Sequence, residues 1–194
     1  MATAPQRGPN TVGDSWKRIA KWYRNHASKD ACELAGPATK KEIELVEAIL
    51  EVRLPANVQQ SYRVHNGSRH TWVFGYWGYY LSLPDLVQSW ALMLHLAKNP
   101  QYRDLKTIPL GPIKPDVWNP RWVPLCGNGS GDHVCSDLDP PSGGRLGQVI
   151  SFSHEEGPRN VLAGSFLEWL AEFAQELESG KFVYDEQRCM IWRT

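Results

Sequence analysis

The 194-residue chain lacks any run of 18 apolar residues, so no segment reads as a membrane-spanning helix. It also lacks net charge: 21 Lys and Arg stand against 21 Asp and Glu. A basic surface covering the whole molecule, as direct nucleic-acid binding requires, is thereby excluded. Cysteine is scarce. Cys32, Cys126, Cys135 and Cys189 are widely spaced and contain no Cys-x-x-Cys pair. The opening residues Met1 to Asn10 are polar, carry Pro5 and Pro9, and have neither the positive flank nor the apolar core of a secretory signal. Together these features imply free thiols in a cytoplasmic protein rather than a disulfide framework. What the chain has in quantity is aromatic, with nine Trp, seven Tyr and five Phe. Its length suits one domain able to bury a core without cross-links.

Residues 1–13 are rich in proline, glycine and small polar types and read as a mobile N-terminal tail. A helix is predicted over Ser15 to His26, capped by Asp14 or Ser15, with Trp16, Ile19, Ala20 and Tyr23 on one face. Thr39 and Glu42 form a capping box that opens a helix to about Val52. Pro55 starts a short helix through Tyr62, and Asn66-Gly67 stops it. Residues 71–83 are aromatic and β-branched with interposed glycines, and predict two short strands. Pro84 and Asp85 open a helix to about Ala97, with Leu86, Trp90 and Leu94 on its face. Residues 99–120 read as loop. Three strands are predicted at Trp122–Leu125, His133–Leu138 and Gln148–Ser153. Ser165 with Glu168 then caps a helix over Phe166 to Glu178 that Gly180 ends. Helices, a strand block with short connections and a closing helix make an α+β fold. The expectation is a mostly antiparallel mixed sheet covered by helices, in one domain over 14–183, with a C-terminal tail at 184–194.

Several stretches invite a chemical reading. The loop Gly127-Asn128-Gly129-Ser130-Gly131-Asp132-His133 has the glycines of a phosphate cradle but no lysine, and it runs into a strand rather than a helix. A flexible hairpin turn accounts for it better. Asp132, Asp137 and Asp139 lack the alternation and terminal Glu of a calcium loop. Cys126, His133 and Cys135 offer three zinc ligands without a fourth, or a Cys-His nucleophile without a local signature. Buried, inert thiols are the simpler reading. His154-Glu155 begins a His-Glu-x-x-His motif that Pro158 breaks. The aromatics from Trp72 to Tyr80 could stack on sugars or bases, or pack as core. No cofactor and no metal are implied.

Zero net charge conceals an asymmetry. Met1 to Lys29 holds six basic residues and one acid. Leu125 to Gly180 holds nine acids against Arg145 and Arg159, a net −7. Such a stretch is either a set of solvated faces or a patch that attracts a basic partner.

The ordered pieces after Trp122 resemble a known family. They are Trp-Val-Pro-Leu, Gly-Asn-Gly-Ser-Gly-Asp, Cys-Ser-Asp-Leu-Asp-Pro, Gly143-Gly144, Gly147-Gln148-Val149-Ile150, Phe152, His154-Glu155, Ser165-Phe166, Glu168-Trp169-Leu170 and Phe173-Ala174. Leu54-Pro55, Tyr62 and His65-Asn66-Gly67 precede them in the matching order. The sequence is similar to the SUKH superfamily of Smi/Knr-type cell-wall assembly regulators over about Thr39 to Lys181. The helix at Ser15 to His26, the Pro109 to Pro120 loop and the segment Tyr184 to Thr194 are extensions to that pattern.

The resemblance implies an α+β fold, no catalysis, and protein binding as the function. Fungal members are regulators, and many bacterial members are immunity proteins that neutralise toxins. Gly127, Gly129, Asp132, Asp137, Gly147 and Glu155 match the motif and are expected to maintain the fold. The leading expectation is an immunity protein whose acidic face covers a basic toxin domain, such as a nuclease. Its partner contacts would be Asp132, Asp137, Glu155 and Glu156, with Trp118 as an aromatic anchor. The alternative is a hub in the regulation of cell-wall or glucan synthesis. A third reading, from another class, is a glycan-binding module or a cryptic hydrolase using the aromatic segment or Cys126. Neither membrane nor direct nucleic-acid contact is expected, and the oligomeric state is left open.

Overall fold

A computed structural model describes residues 11–28, 32–69, 71–100 and 107–194. Most of the expected N-terminal tail and residues 101–106 of the expected loop lie outside the described residues. The first helix, α1, spans Val12–His26. It starts a turn earlier than predicted because Thr11 caps it, its Oγ1 accepting from Asp14 N at 3.1 Å. Val12 is thereby added to the buried stripe of Trp16, Ile19 and Tyr23. Next come α2 at Lys40–Leu50, α3 at Ala56–Tyr62 and a 3₁₀ turn at Gly75–Trp77. Strand β1 (Tyr79–Tyr80) leads to α4 (Leu83–Leu96), capped by Ser82. Strands β2 (Trp122–Gly127), β3 (His133–Asp137), β4 (Gln148–Ser153) and β5 (Gly157–Ala163) follow. Helix α5 (Phe166–Glu178) and the hairpin β6 (Phe182–Asp185) and β7 (Met190–Arg193) close the chain. Among the described residues no helix is long and apolar enough to cross a membrane.

The five strands β1 to β5 lie in sequence order, and every ladder is antiparallel. The parallel contacts are the single bridges Trp72–Met190 and Leu110–Asn160. The α+β architecture matches the expectation. Strands β2 and β3 are buried at every residue, because the sheet is covered on both faces. On one face Val123, Leu125, Val134 and Val149 meet the core under α1, α2, α3 and α5. On the other, Trp122, Cys135, Ile150 and Phe152 pack with Met93 of α4 and with Ile113 and Trp118. Pro124 sits within β2 at no cost to a ladder with β1, whose pairing reaches only Cys126 and Gly127.

The 71–83 stretch forms the 3₁₀ turn and the two-residue β1 rather than two strands. Its side chains decide this. Phe74 and Tyr80 are buried against Trp16, with ring centroids 5.7 and 5.1 Å away. Ser61 Oγ accepts from both Trp16 Nε1 (2.9 Å) and Tyr80 OH (2.8 Å). The extension helix α1 is therefore part of the core. So is the segment expected as a C-terminal tail: it is the β6–β7 hairpin, and its Ile191 is 1% exposed.

Candidate binding cleft

A cleft of about 860 Å³ opens beside helix α4. Helix α4 supplies one wall through Leu92, Met93 and Leu96. The segment Asn66–Arg69 and the residues Tyr79–Ser82 supply the second. The third is the glycine-rich β2–β3 loop, and Trp118, His133 and Phe152 form the inner surface. Sequence reasoning missed this wall of α4, because a helical stripe through Leu86, Trp90 and Leu94 satisfies one core. The available signal was the surplus of apolar residues outside that stripe, Leu92, Met93 and Leu96.

Local bonding fixes the loop. Asn128 Oδ1 accepts from Ser130 N (2.9 Å) and Asp132 N (3.2 Å), an Asx turn. Asn128 Nδ2 donates to Asp132 Oδ2 at 2.9 Å. Asp132 Oδ1 accepts from His154 N at 3.0 Å and lies 2.8 Å from His154 Nδ1. Burial alone would raise the Asp132 pKa, but the bonds from His154 and Asn128 outweigh it and hold the carboxyl below its usual range. Gly78 brings the β1 side close: a Cβ there would sit 2.2 Å from Gly127 O, so only glycine lets the two backbones meet. On the opposite wall Asn66 Oδ1 accepts from Leu83 N at 2.9 Å, anchoring the start of α4.

The interior is apolar with few polar groups, and exposed Arg69 and Asp85 stand at the rim. Such a surface orients and holds a ligand. Among the described residues, none of its serines is hydrogen-bonded to one of its histidines. Cys126 and Cys135 are both buried, on opposite sides of the sheet, and burial pushes both thiols well up. They therefore neither converge with His133 on a metal nor present a thiolate. No group of three or more His, Cys, Asp or Glu among the described residues is placed to hold a metal ion.

The sequence-predicted contacts do not form one surface. Asp137 is buried and is a structural acceptor, taking Trp122 Nε1 (3.1 Å), Gln148 Nε2 (2.9 Å) and Asp139 N (2.9 Å). Trp118 is 6% exposed, so it is part of the cleft wall and not a protruding anchor. Asp132 braces the loop. Glu155 and Glu156 do project from the β4–β5 turn, and Glu156 pairs with Arg159. The acidic stretch is largely spent within the molecule. Glu178 binds Arg18 (2.7 Å), Glu176 binds Lys181 (3.0 Å) and Arg193, Glu168 lies near Arg145 (3.5 Å), and Asp139 binds Lys114 (2.6 Å). Helices α1 and α5 pack together, and the Arg18–Glu178 pair links them.

Comparison with known proteins agrees with the motif order. The chain is 27% identical to the cell wall biosynthesis/cell cycle regulator smi1 of Schizosaccharomyces pombe, over 92% of this chain and 38% of that protein. It is 27% identical to the cell wall assembly regulator SMI1 of Saccharomyces cerevisiae, over 87% of this chain and 41% of that protein. It is 23% identical to a glucan synthesis regulatory protein of Neurospora crassa, over 90% and 40%. The chain thus spans about two fifths of the length of these relatives. The model of the SMI1 / KNR4 family (SUKH-1) matches residues 37–172, and the chain belongs to that family.

Proposed function

We propose that the chain is a non-catalytic, cytoplasmic protein-interaction domain serving the regulation of cell-wall synthesis, and that partners dock in the cleft between α4 and the glycine-rich loop. The observation that carries this reading is the cleft itself. It is a preformed apolar concavity, braced by the Asp132–His154 and Asn128 bonds, in which no nucleophile among the described residues is paired with a base. The names of the relatives, regulators of wall and glucan synthesis, support the process in which it acts. All four thiols are free, as suits a reducing compartment.

The test is quantitative capture from a fungal lysate with the tagged chain, comparing Leu92→Arg in the cleft with Leu45→Arg on α2. Both leucines are exposed, 55% and 60%, so neither replacement costs the fold. Wall-synthesis proteins retained by the parent and by Leu45→Arg, and lost with Leu92→Arg, are the expected result. Retention by both variants would remove the cleft from the reading.

The immunity reading has narrower support, because most acids of the −7 stretch are paired or buried; of its named contacts, Glu155 and Glu156 are the exposed ones. One stoichiometric basic toxin domain, captured by the parent and released by Glu155→Lys with Glu156→Lys, would move the assignment to it. The glycan reading loses Phe74 and Tyr80 to the core and keeps exposed Tyr76 with half-buried Trp72, Trp77 and Tyr79.

A further inference from the structure

One polar group at the inner wall of the cleft lacks a partner among the described residues, and a second polar side chain stands beside it. Trp118 is buried, and its indole Nε1–H has no acceptor among the described residues. His133 stands beside it, with ring centroids 6.1 Å apart, and is buried as well. His133 Nδ1 lies 2.9 Å from the Gly131 carbonyl oxygen. A carbonyl oxygen only accepts, so the imidazole proton sits on Nδ1 and Nε2 carries a lone pair. Burial keeps the ring neutral, outweighing the opposing pull of the Gly131 carbonyl and Asp132. The wall therefore holds one donor and one acceptor side by side, flanked by Met93 and Phe152. A buried donor without a partner is a standing cost that a ligand acceptor removes.

One common group answers both at once. A carboxamide offers a carbonyl to Trp118 Nε1–H and an N–H to His133 Nε2. A carboxylate has no proton for His133, and an ammonium has no acceptor for Trp118. The cleft volume of about 860 Å³ leaves most of the space empty around one such group. Flanking residues with apolar side chains suit the remaining wall, Leu92 and Leu96. We propose that the cleft takes an extended segment of a partner protein whose Asn or Gln side chain is seated against the Trp118–His133 pair. The proposal rests on the docking reading above and specifies the chemistry of its occupant.

The test follows the nine indole N–H resonances of the nitrogen-15-labelled chain, that of Trp118 being assigned by its loss in Trp118→Phe. The probes are short acetylated and amidated peptides, identical save for a central Gln, Glu or Met between leucines. The Gln peptide alone should shift the Trp118 resonance. Trp118→Phe, which keeps an aromatic ring in the wall, should weaken that peptide roughly three- to tenfold. Surface variant Leu92→Ala should weaken it too, and gives a second route should the wall variant fail to fold. Equal binding of the Glu or Met peptide, or unchanged affinity in Trp118→Phe, overturns the proposal. So does a stronger shift by adenosine, which would assign the pair to a nucleobase edge. If capture stays sensitive to Leu92→Arg while the three peptides behave alike, the carboxamide inference alone has failed. If both are lost, the docking reading has failed with it.

Discussion

Asp132 and His154 join two loops that are distant in sequence: one carboxylate oxygen of Asp132 lies 3.0 Å from the His154 backbone nitrogen and 2.8 Å from its Nδ1. The glycine-rich loop is thus tied to the β4–β5 turn, and the cleft wall is held in shape. Because these bonds hold the Asp132 carboxyl below its ordinary value, its contribution to stability is complete above the unfolded pKa of about 3.9. It is lost as pH falls through the lower folded value. The expected outcome is a loop unchanged from neutral pH down to about 4, loosening below that, seen in the amide shifts of residues 128–133. Asp132→Ala should cost about 1–2 kcal/mol in denaturant unfolding and should flatten that acid-side response.

Asp137 behaves in the opposite sense. Burial pushes its carboxyl up, against the pull of Asp139 N, Gln148 and Trp122. A raised acid favours folding most when protonated, so its ionisation subtracts stability as pH rises through the folded value. Asp137→Asn keeps an acceptor for Trp122 Nε1 and removes the charge, so its stability should depend less on pH over the acid range. Asp137→Ala leaves Trp122, Gln148 and Asp139 N without their acceptor. It should cost about 2–4 kcal/mol by the same unfolding measurement. A surface contact residue would show neither effect.

How far the sequence could be read follows from which signals are local. The α2 cap is local, and Thr39 and Glu42 close it as expected. Helix α5 also begins at Ser165, although Glu168 reaches back to Gly164 N instead of closing the full box. Strand β4 has its predicted bounds. Strand β5 escaped, because Gly157-Pro158-Arg159-Asn160 carries no alternation; it is an edge strand, and Leu110 N bonds to Arg159 O alongside it. The β6–β7 hairpin escaped because its Tyr184 and Ile191 register only in pairing. The contact residues were chosen by sign of charge, and charge says nothing of direction. Asp137 and Asp139 are two residues apart, yet one turns into the core and the other to Lys114.

Two glycines with the same positive φ should respond differently to alanine. Gly78 and Gly129 both have φ of +79°. At Gly78 a Cβ would meet the Gly127 carbonyl oxygen, whereas at Gly129 it would meet nothing within 4 Å. Gly129→Ala should therefore cost only the left-handed penalty, about 1 kcal/mol. Gly78→Ala adds a backbone clash where the second wall of the cleft meets β2, and should cost about 2–5 kcal/mol. Thermal unfolding of the two variants checks the difference. Equal losses would mean that the close approach of β1 to β2 does not hold in solution.

The hairpin at the C-terminal end gives the sharpest separation between a tail and a structural element. Ile191 is 1% exposed, and its side chain and backbone lie 2.9–3.0 Å from where a Gly75 Cβ would be. It thus packs under the 3₁₀ turn that leads into β1 and the second wall of the cleft. A dangling segment could lose this side chain without consequence. In the structure, Ile191→Ala empties a core position and should cost about 2–4 kcal/mol in denaturant unfolding. Val183→Thr, on the neighbouring strand at 52% exposed, is the control and should stay within about 0.5 kcal/mol. Both changes should leave a single unfolding transition, because β7 shares its buried residue with the main core. A separate early transition in Ile191→Ala would instead make the hairpin an independent unit that docks on a finished domain.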